Sequence, residues 1–190
     1  MIQRTFYLLS ILLITISCNS SFSEKEKEEY RVKGKEIAEA SFLALSTQLT
    51  EQMKAGGPAQ AIPFCNQKAM PITNELSDKF KATIKRTSNN LRNPDNAPSK
   101  RESEILADFQ KMKMDGKQLS PIVELDANNK KHFYAPIILK ANCLVCHGKL
   151  NETVNIKTDS IIKSLYPNDK ATGYAEGDLR GIWSITFKNK

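Results

Sequence analysis

The sequence predicts an α+β fold, with helices packed on one antiparallel sheet behind a long N-terminal helix. Three observations carry this. Apolar residues recur at helical spacing early in the chain, strand-like alternation with hairpin turn chemistry fills its last third, and helical and extended stretches alternate between them. At 190 residues, 40% hydrophobic and 26% charged, the composition is that of a single globular domain. A disordered tail and a multi-span membrane protein are excluded.

Residues 1–17 read as a signal peptide. Arg4 supplies the positive n-region, and Phe6 to Ile16 is an apolar run too short to span a bilayer. The run ends in Thr15-Ile16-Ser17-Cys18, which resembles a bacterial lipobox, so Cys18 is the expected lipidation site. The plainer alternative is a cut nearby that leaves Cys18 an incidental thiol. Residues 18–29 are then a lipidated tether, with Asn19–Ser23 polar and Glu24–Glu29 alternating in charge, and residues 30–190 are the domain. The expected location is outside the cytoplasm, anchored to a bacterial membrane on its periplasmic side or at the outer membrane.

Beyond the tether, Ala38, Phe42, Leu45, Leu49 and Met53 form an apolar stripe on a long helix that Gly56-Gly57-Pro58 stops. A shorter helix follows over residues 59–70, regular from Pro63 and ended by Pro71, which puts Cys65 in its first turn. Residues 82–87 suit a strand, and residues 88–98, with Asn93-Pro94-Asp95-Asn96, a long loop. Ser99 and Glu102 have capping-box spacing for a helix reaching Met114 and Asp115-Gly116. Residues 122–125 and 132–139 flank the turn Asp126-Ala127-Asn128-Asn129, a hairpin pattern. A helix over 156–165 and a last strand over 181–187, with Trp183, Ile185 and Phe187 on one face, complete the chain.

A net charge of +7 and a pI of 9.2 ordinarily raise nucleic-acid binding. Here the lysines are scattered, with no extended basic run and no interleaved aromatics. Export argues against it too. The charge reads as a solvated face with some attraction to acidic partners or anionic lipid, and no nucleic acid is expected.

The decisive motif is Cys143-Leu144-Val145-Cys146-His147. Two thiols at this spacing can add across the vinyl groups of a haem, and the adjacent histidine then ligates the iron from the proximal side. With four cysteines and two histidines in the chain, the pattern is rare by chance. Three other readings compete: a thioredoxin-like pair, which wants a βαβ setting; a zinc site, with Cys65 or His132 as fourth ligand; and a small disulfide loop. Covalent attachment in bacteria takes place outside the cytoplasmic membrane, so the leader and the motif agree on one covalent haem c.

Cysteine arithmetic then isolates Cys65. It is either a buried inert thiol or the distal ligand, against the rivals His132, Met70, Met53, Met112 and Met114. His132, after Lys130-Lys131, reads as solvated. Arg86, Arg92 and Arg180 can pair with Asp95, Asp169 or Asp178, or can hold haem propionates; Arg92 is the one retained as a possible propionate residue. Tyr134 and Trp183 read as wall residues, core first and cofactor contacts second.

Taken together, Gly56-Gly57-Pro58 with Ala61-Ile62-Pro63-Phe64-Cys65, Arg92-Asn93-Pro94-Asp95-Asn96, Tyr134-Ala135-Pro136-Ile137, the Cys-x-x-Cys-His segment, residues 166–174 and Glu176-Gly177-Asp178-Leu179-Arg180-Gly181 make the chain resemble a bacterial c-type haem domain family of unknown function with a PAS-like fold. The resemblance covers about residues 30–188 and implies a PAS-like antiparallel sheet holding a haem, with the family's early cysteine mapping onto Cys65. The function it supports is a redox or gas sensor domain acting through a separate redox or signalling protein of the cell envelope. An envelope electron carrier is the alternative. Enzyme activity is not expected; a peroxidase would want a distal histidine that the residues around Cys65 do not offer.

Overall fold

Ser23 starts the first helix. Its hydroxyl accepts the Glu26 N–H, and the Glu26 carboxylate accepts the Ser23 N–H in return, a full capping box. In the computed structural model, which describes residues 22–188, α1 spans Glu24–Gly56. The signal peptide and Cys18 lie outside the described residues. The charged run 24–29, read as the tether leading into an exposed helix start, forms the first turns of α1. The helix stops where predicted, with Gly57 at φ 64° returning its N–H to the Met53 carbonyl.

The buried face of α1 corrects part of the expected stripe, of which Ala38 is buried and Leu45 packs on the core. Gly34, Ile37, Ala38 and Ser41 are buried, whereas Phe42 is 54% and Leu49 39% exposed. Close approach is the reason. A Cβ on Gly34 would lie 2.2 Å from the Phe133 ring, so the helix rests on the sheet through small residues and its large ones are turned aside.

A second correction concerns the next helix, α2, which spans Pro58–Phe80 and passes through both Pro63 and Pro71. Pro58 sits at its start, where a missing N–H costs nothing. An internal proline costs ~3 kcal/mol; burial of Ala61, Ile62 and Thr73, with Leu76 and Phe80 against the core, offsets it. Cys65 is therefore beyond the second turn of α2, outside the first turn where the helix dipole acts.

The sheet is β1 (Ala82–Thr87), β2 (Ile122–Leu125), β3 (Lys131–Ile138) and β4 (Leu179–Phe187), antiparallel throughout in the order β1-β4-β3-β2. The predicted hairpin forms β2 and β3, with Asn129 at φ 58° and the Asp126 carboxylate accepting the Asn128 and Lys130 N–H groups. One sheet face packs Ala82, Ile84, Phe133, Trp183 and Ile185 under α1 and α2. The other packs Tyr134 and Ile182 against Ile105, Leu106 and Phe109 of α3 (Lys100–Met114). Residues that alternate along a strand thus serve two cores.

Strand pairing brings three chain segments to one end of this sheet. Thr87 at the end of β1 stands opposite Ile182, and Ile138 at the end of β3 opposite Leu179 at the start of β4. Beyond β3 come a 3-10 turn, Ala141–Cys143, and the single-turn helix α4 (Leu144–His147). Helix α5 (Ile156–Leu165) packs on the first half of α2 through Ile62, Ile162 and Tyr166. No helix among the described residues is long and apolar enough to cross a membrane.

Glu102 joins α3 to the sheet. Its carboxylate accepts the Ser99 N–H at 2.7 Å and Lys85 Nζ at 2.8 Å while 7% exposed. Burial alone would raise its pKa, but Lys85, the Ser99 N–H and the Ser184 hydroxyl outweigh that and hold it below the ordinary 4.5. A depressed carboxylate stabilises the fold above its unfolded value and loses that contribution as pH falls through the folded one. Glu102→Ala is expected to cost about 1–3 kcal/mol at neutral pH. Glu102→Gln should flatten part of the stability loss below pH 4.5. Urea titration across pH measures both.

Candidate functional site

The CxxCH motif folds as a turn with little freedom. Cys143 closes the 3-10 turn, its sulfur accepting the Lys140 N–H at 3.4 Å, and α4 ends with the Gly148 N–H on the Leu144 carbonyl at 2.8 Å. A Cβ on Gly148 would lie 1.8 Å from Thr153 Oγ1, so only glycine fits after the histidine. Cys65, Cys143 and Cys146 are all free thiols. Both motif cysteines and the histidine are half-buried.

Residues 169–174 hold this turn in place. His147 Nδ1 donates to the Ala171 carbonyl at 2.7 Å. The Tyr174 N–H donates to the His147 carbonyl at 3.0 Å, and the Gly173 N–H to the Gly148 carbonyl at 2.8 Å. Because Nδ1 is the donor, the neutral ring carries its proton there and Nε2 keeps its lone pair. Among the described residues nothing bonds Nε2. Burial, with the Arg92 and Arg180 charges behind it, lowers the His147 pKa to about 3, so the imidazole is neutral at physiological pH. A neutral, oriented imidazole whose second nitrogen is pinned to a carbonyl is what a metal ligand requires.

Arg92 is the clamp behind that arrangement. Its Nε and Nη2 meet Asp169 Oδ1 and Oδ2 at 3.0 and 3.2 Å, and Nη2 also donates to the Cys146 carbonyl at 2.7 Å. Asp169, whose side chain is 4% exposed, accepts the Ala171 N–H at 3.1 Å as well. Of the two sequence readings for Arg92, the pairing with Asp169 is present, and Nη1 is the nitrogen left over.

Cys65 belongs to the same neighbourhood. Burial raises its thiol pKa, and the Arg86 and Arg92 charges pull it down. Cys146 is likewise raised by burial and lowered by Arg92, with Cys65 and Cys143 adding to the rise. Ile62, Ile162 and Tyr166, with Ile161, wall in Cys146 between α2 and α5. Trp183 lies under Arg86, whose guanidinium is 5.8 Å from its ring, while Tyr134 is on the other face of the sheet.

The rivals of Cys65 lie elsewhere. His132 is held through both ring nitrogens, by Asp126 at 3.2 Å and Thr186 at 3.0 Å, rather than solvated as expected. It is also about 20 Å from the motif end of β3, at roughly 3.3 Å per residue. Met112 and Met114 are on α3, across the sheet, and Met53 is on α1. Met70 is five residues further along α2, about 140° around the helix from Cys65, and lines a cavity of about 200 Å³ that Arg86 also lines. Among the described residues no group of three or more His, Cys, Asp or Glu side chains is placed to hold a metal ion, the set a structural zinc would need. The sequence reading did not find Ala171, because a backbone carbonyl leaves no mark in a sequence; the nearby Pro167-Asn168-Asp169 turn was the available signal.

The chain belongs to the Tll0287-like family, whose match covers residues 17–188. It is also similar to a solved structure described as the crystal structure of the cyanobacterial heme-protein Tll0287. The identity is 20% and the TM-score 0.62, over 88% of this chain and 98% of that one, a likeness in fold. No curated protein matches.

Arg92→Ala should strand buried Asp169 and release the Cys146 carbonyl. A loss of about 3–5 kcal/mol is expected from a half-broken buried pair, with faster hydrogen exchange at Gly173 and Tyr174. Arg92→Lys should recover less than half, because an ammonium cannot reproduce the fork. Denaturant unfolding and amide exchange are the measurements.

Proposed function

We propose that this chain is an exported haem-c protein that senses redox state or a small gas through a partner in the cell envelope. In this reading Cys143 and Cys146 carry the haem as thioethers, His147 Nε2 is the proximal ligand and Cys65 the distal one, on a PAS-like scaffold. The supporting observation is the His147 Nδ1–H···Ala171 bond, which presents an unprotonated Nε2 on the same turn as two free thiols. Membership of the Tll0287-like family, and the description of the similar structure as a heme-protein, support it. The residues also fit the group's charge, since a buried Arg180 Nε has no hydrogen-bond partner.

Haem c supplies an iron that changes oxidation state and can bind a small gas. The chain's own residues govern ligation and access. His147 stays neutral and oriented by Ala171, and the α2–α5 wall keeps water from Cys146. Cys65 is a neutral thiol by burial and becomes a thiolate only with a cation beside it. In the sensor reading Cys65 would be the ligand able to leave, since its thiolate form needs a cation beside it. Since Cys65 lies inside a helix packed on α1, β1 and α5, such a change would move the thiol alone and not the helix. That rigidity favours the second reading, an electron carrier whose ligands both stay in place. In both, Cys18 anchors the protein to a bacterial membrane through lipid.

A pyridine haemochrome assay on protein matured with a cytochrome c assembly system is expected to give one haem c per chain. Cys143→Ala with Cys146→Ala should abolish haem staining on a denaturing gel; survival of the stain, or stoichiometric zinc instead of haem, rejects the assignment. Cys65→Ala should change the ferric low-spin resonance and the Soret band, while Met70→Ala and His132→Ala leave them unchanged. Carbon monoxide binding only to the reduced protein supports the sensor, and ligand retention on reduction supports the carrier. Cys18→Ser should move the protein from membranes to the soluble periplasmic fraction with its haem intact.

A further inference from the structure

Three guanidinium groups bear on His147: Arg92, Arg180 and Arg86. Asp169 is the carboxylate tied to Arg92. Neither Arg86 nor Arg180 makes a contact ion pair among the described residues; Asp169 and Tyr174 act on Arg180 from nearby, and Asp95 lines the same cavity as Arg86. Both arginines are half-buried, and burial pushes both pKa values down.

The donors of these two residues show what is missing. Arg180 Nη1 donates to the Asn90 carbonyl at 3.0 Å, and its guanidinium lies 5.7 Å from the Tyr174 ring. Its Nε is fully buried and has no partner. Nε and Nη2 form the side edge of a guanidinium, the edge that takes a carboxylate with two parallel bonds. Arg86 stacks over Trp183 and makes no hydrogen bond among the described residues. It lines a cavity with Met70, Asn74, Lys85 and Asp95, and Asp95 is not within ion-pair distance of it. Arg92, by contrast, is spent on Asp169 and the Cys146 carbonyl.

We infer that Arg180 and Arg86 are the anchors of the two haem propionates, and that Arg92 holds the protein to itself. The inference rests on the haem reading above and deepens it. Two carboxylates match two guanidinium groups without a contact carboxylate, and the Nε edge of Arg180 gains the acceptor it lacks. The arginines enter from β4 and β1, at the sheet end where the motif follows β3, so the sheet itself sets the distance between anchors and thioethers. This reverses the weight that the sequence alone puts on Arg92.

The test uses the full chain matured with covalent haem, in Arg180→Gln, Arg180→Lys and Arg86→Gln forms. Resonance Raman spectra read the propionate bending bands, and redox titration across pH reads the ionisation of the propionates. An arginine-paired propionate ionises at low pH. Arg180→Gln is expected to shift a bending band, lower the midpoint potential and move the pH-dependent limb of the potential upward in pH, with the ferric ligand-field resonance unchanged. Arg180→Lys should keep the potential closer to wild type while still shifting the band. If Arg180→Gln fails to accumulate, Arg180→Lys and Arg86→Gln read the same two observables. Bands and pH limb that match wild type in every variant, whatever the melting temperature does, overturn the inference while the haem reading stands. A wild-type chain without haem overturns both.

Discussion

The pairing of Arg92 with Asp169 is the constraint on which the rest of the site depends. It joins two loops 77 residues apart in sequence. Through one nitrogen it also fixes the carbonyl of Cys146, and through Asp169 it fixes the N–H of Ala171. Ala171 in turn sets the tautomer of His147. A buried ion pair is poor evidence for stability, since desolvation consumes most of its Coulomb energy. Here every oxygen of the carboxylate and two nitrogens of the arginine are engaged, and the return is positional: a motif of small, weakly held side chains is located through its backbone.

The scaffold explains why that location is available. An antiparallel sheet in the order β1-β4-β3-β2 puts the end of β1, the end of β3 and the start of β4 at one edge. Each contributes one element of the proposed site: Arg86, the CxxCH turn and Arg180. Helix α2 runs antiparallel to β1, and over its greater length it brings Cys65 to the same end. The opposite end is closed by aromatic contacts, with Tyr30 of α1 edge-on to Phe187 at 4.8 Å. The chemistry is thus confined to one end and packing to the other.

How much of this was legible from the sequence depended on whether the signal was local. The Ser99–Glu102 capping box, the Asp126–Asn129 turn, β1, α3, α5 and the CxxCH motif are all set by residues close in sequence, and each could be read. The α1 stripe could be read only in part. Periodicity ranks large apolar residues first, and the buried face used Gly34, Ala38 and Ser41 so that Phe133 could approach. Helix α2 was read as ending at Pro71 because the breaker is local, whereas the burial that overrides it comes from the sheet and α5. Arg92, Arg86 and Arg180 look alike in sequence. Only the tertiary arrangement separates the arginine with a carboxylate from the two without.

That separation bears on how stability and function are divided. Under the proposed function, thioether bonds hold the cofactor, so no side chain has to supply affinity for it. Residues that meet its carboxylates are then free to act on orientation and on the relative stability of two oxidation states, which a nearby positive charge favours unequally. The same charges are a liability before attachment. Under that function, two half-buried guanidinium groups without a contact carboxylate would destabilise the folded apoprotein, and pairing them would stabilise the loaded one. A chain arranged this way is least stable while its thiols are still free, and attachment is the step that relieves it. If the two arginines do meet the cofactor's carboxylates, their charge would couple folding of the sheet end to cofactor loading.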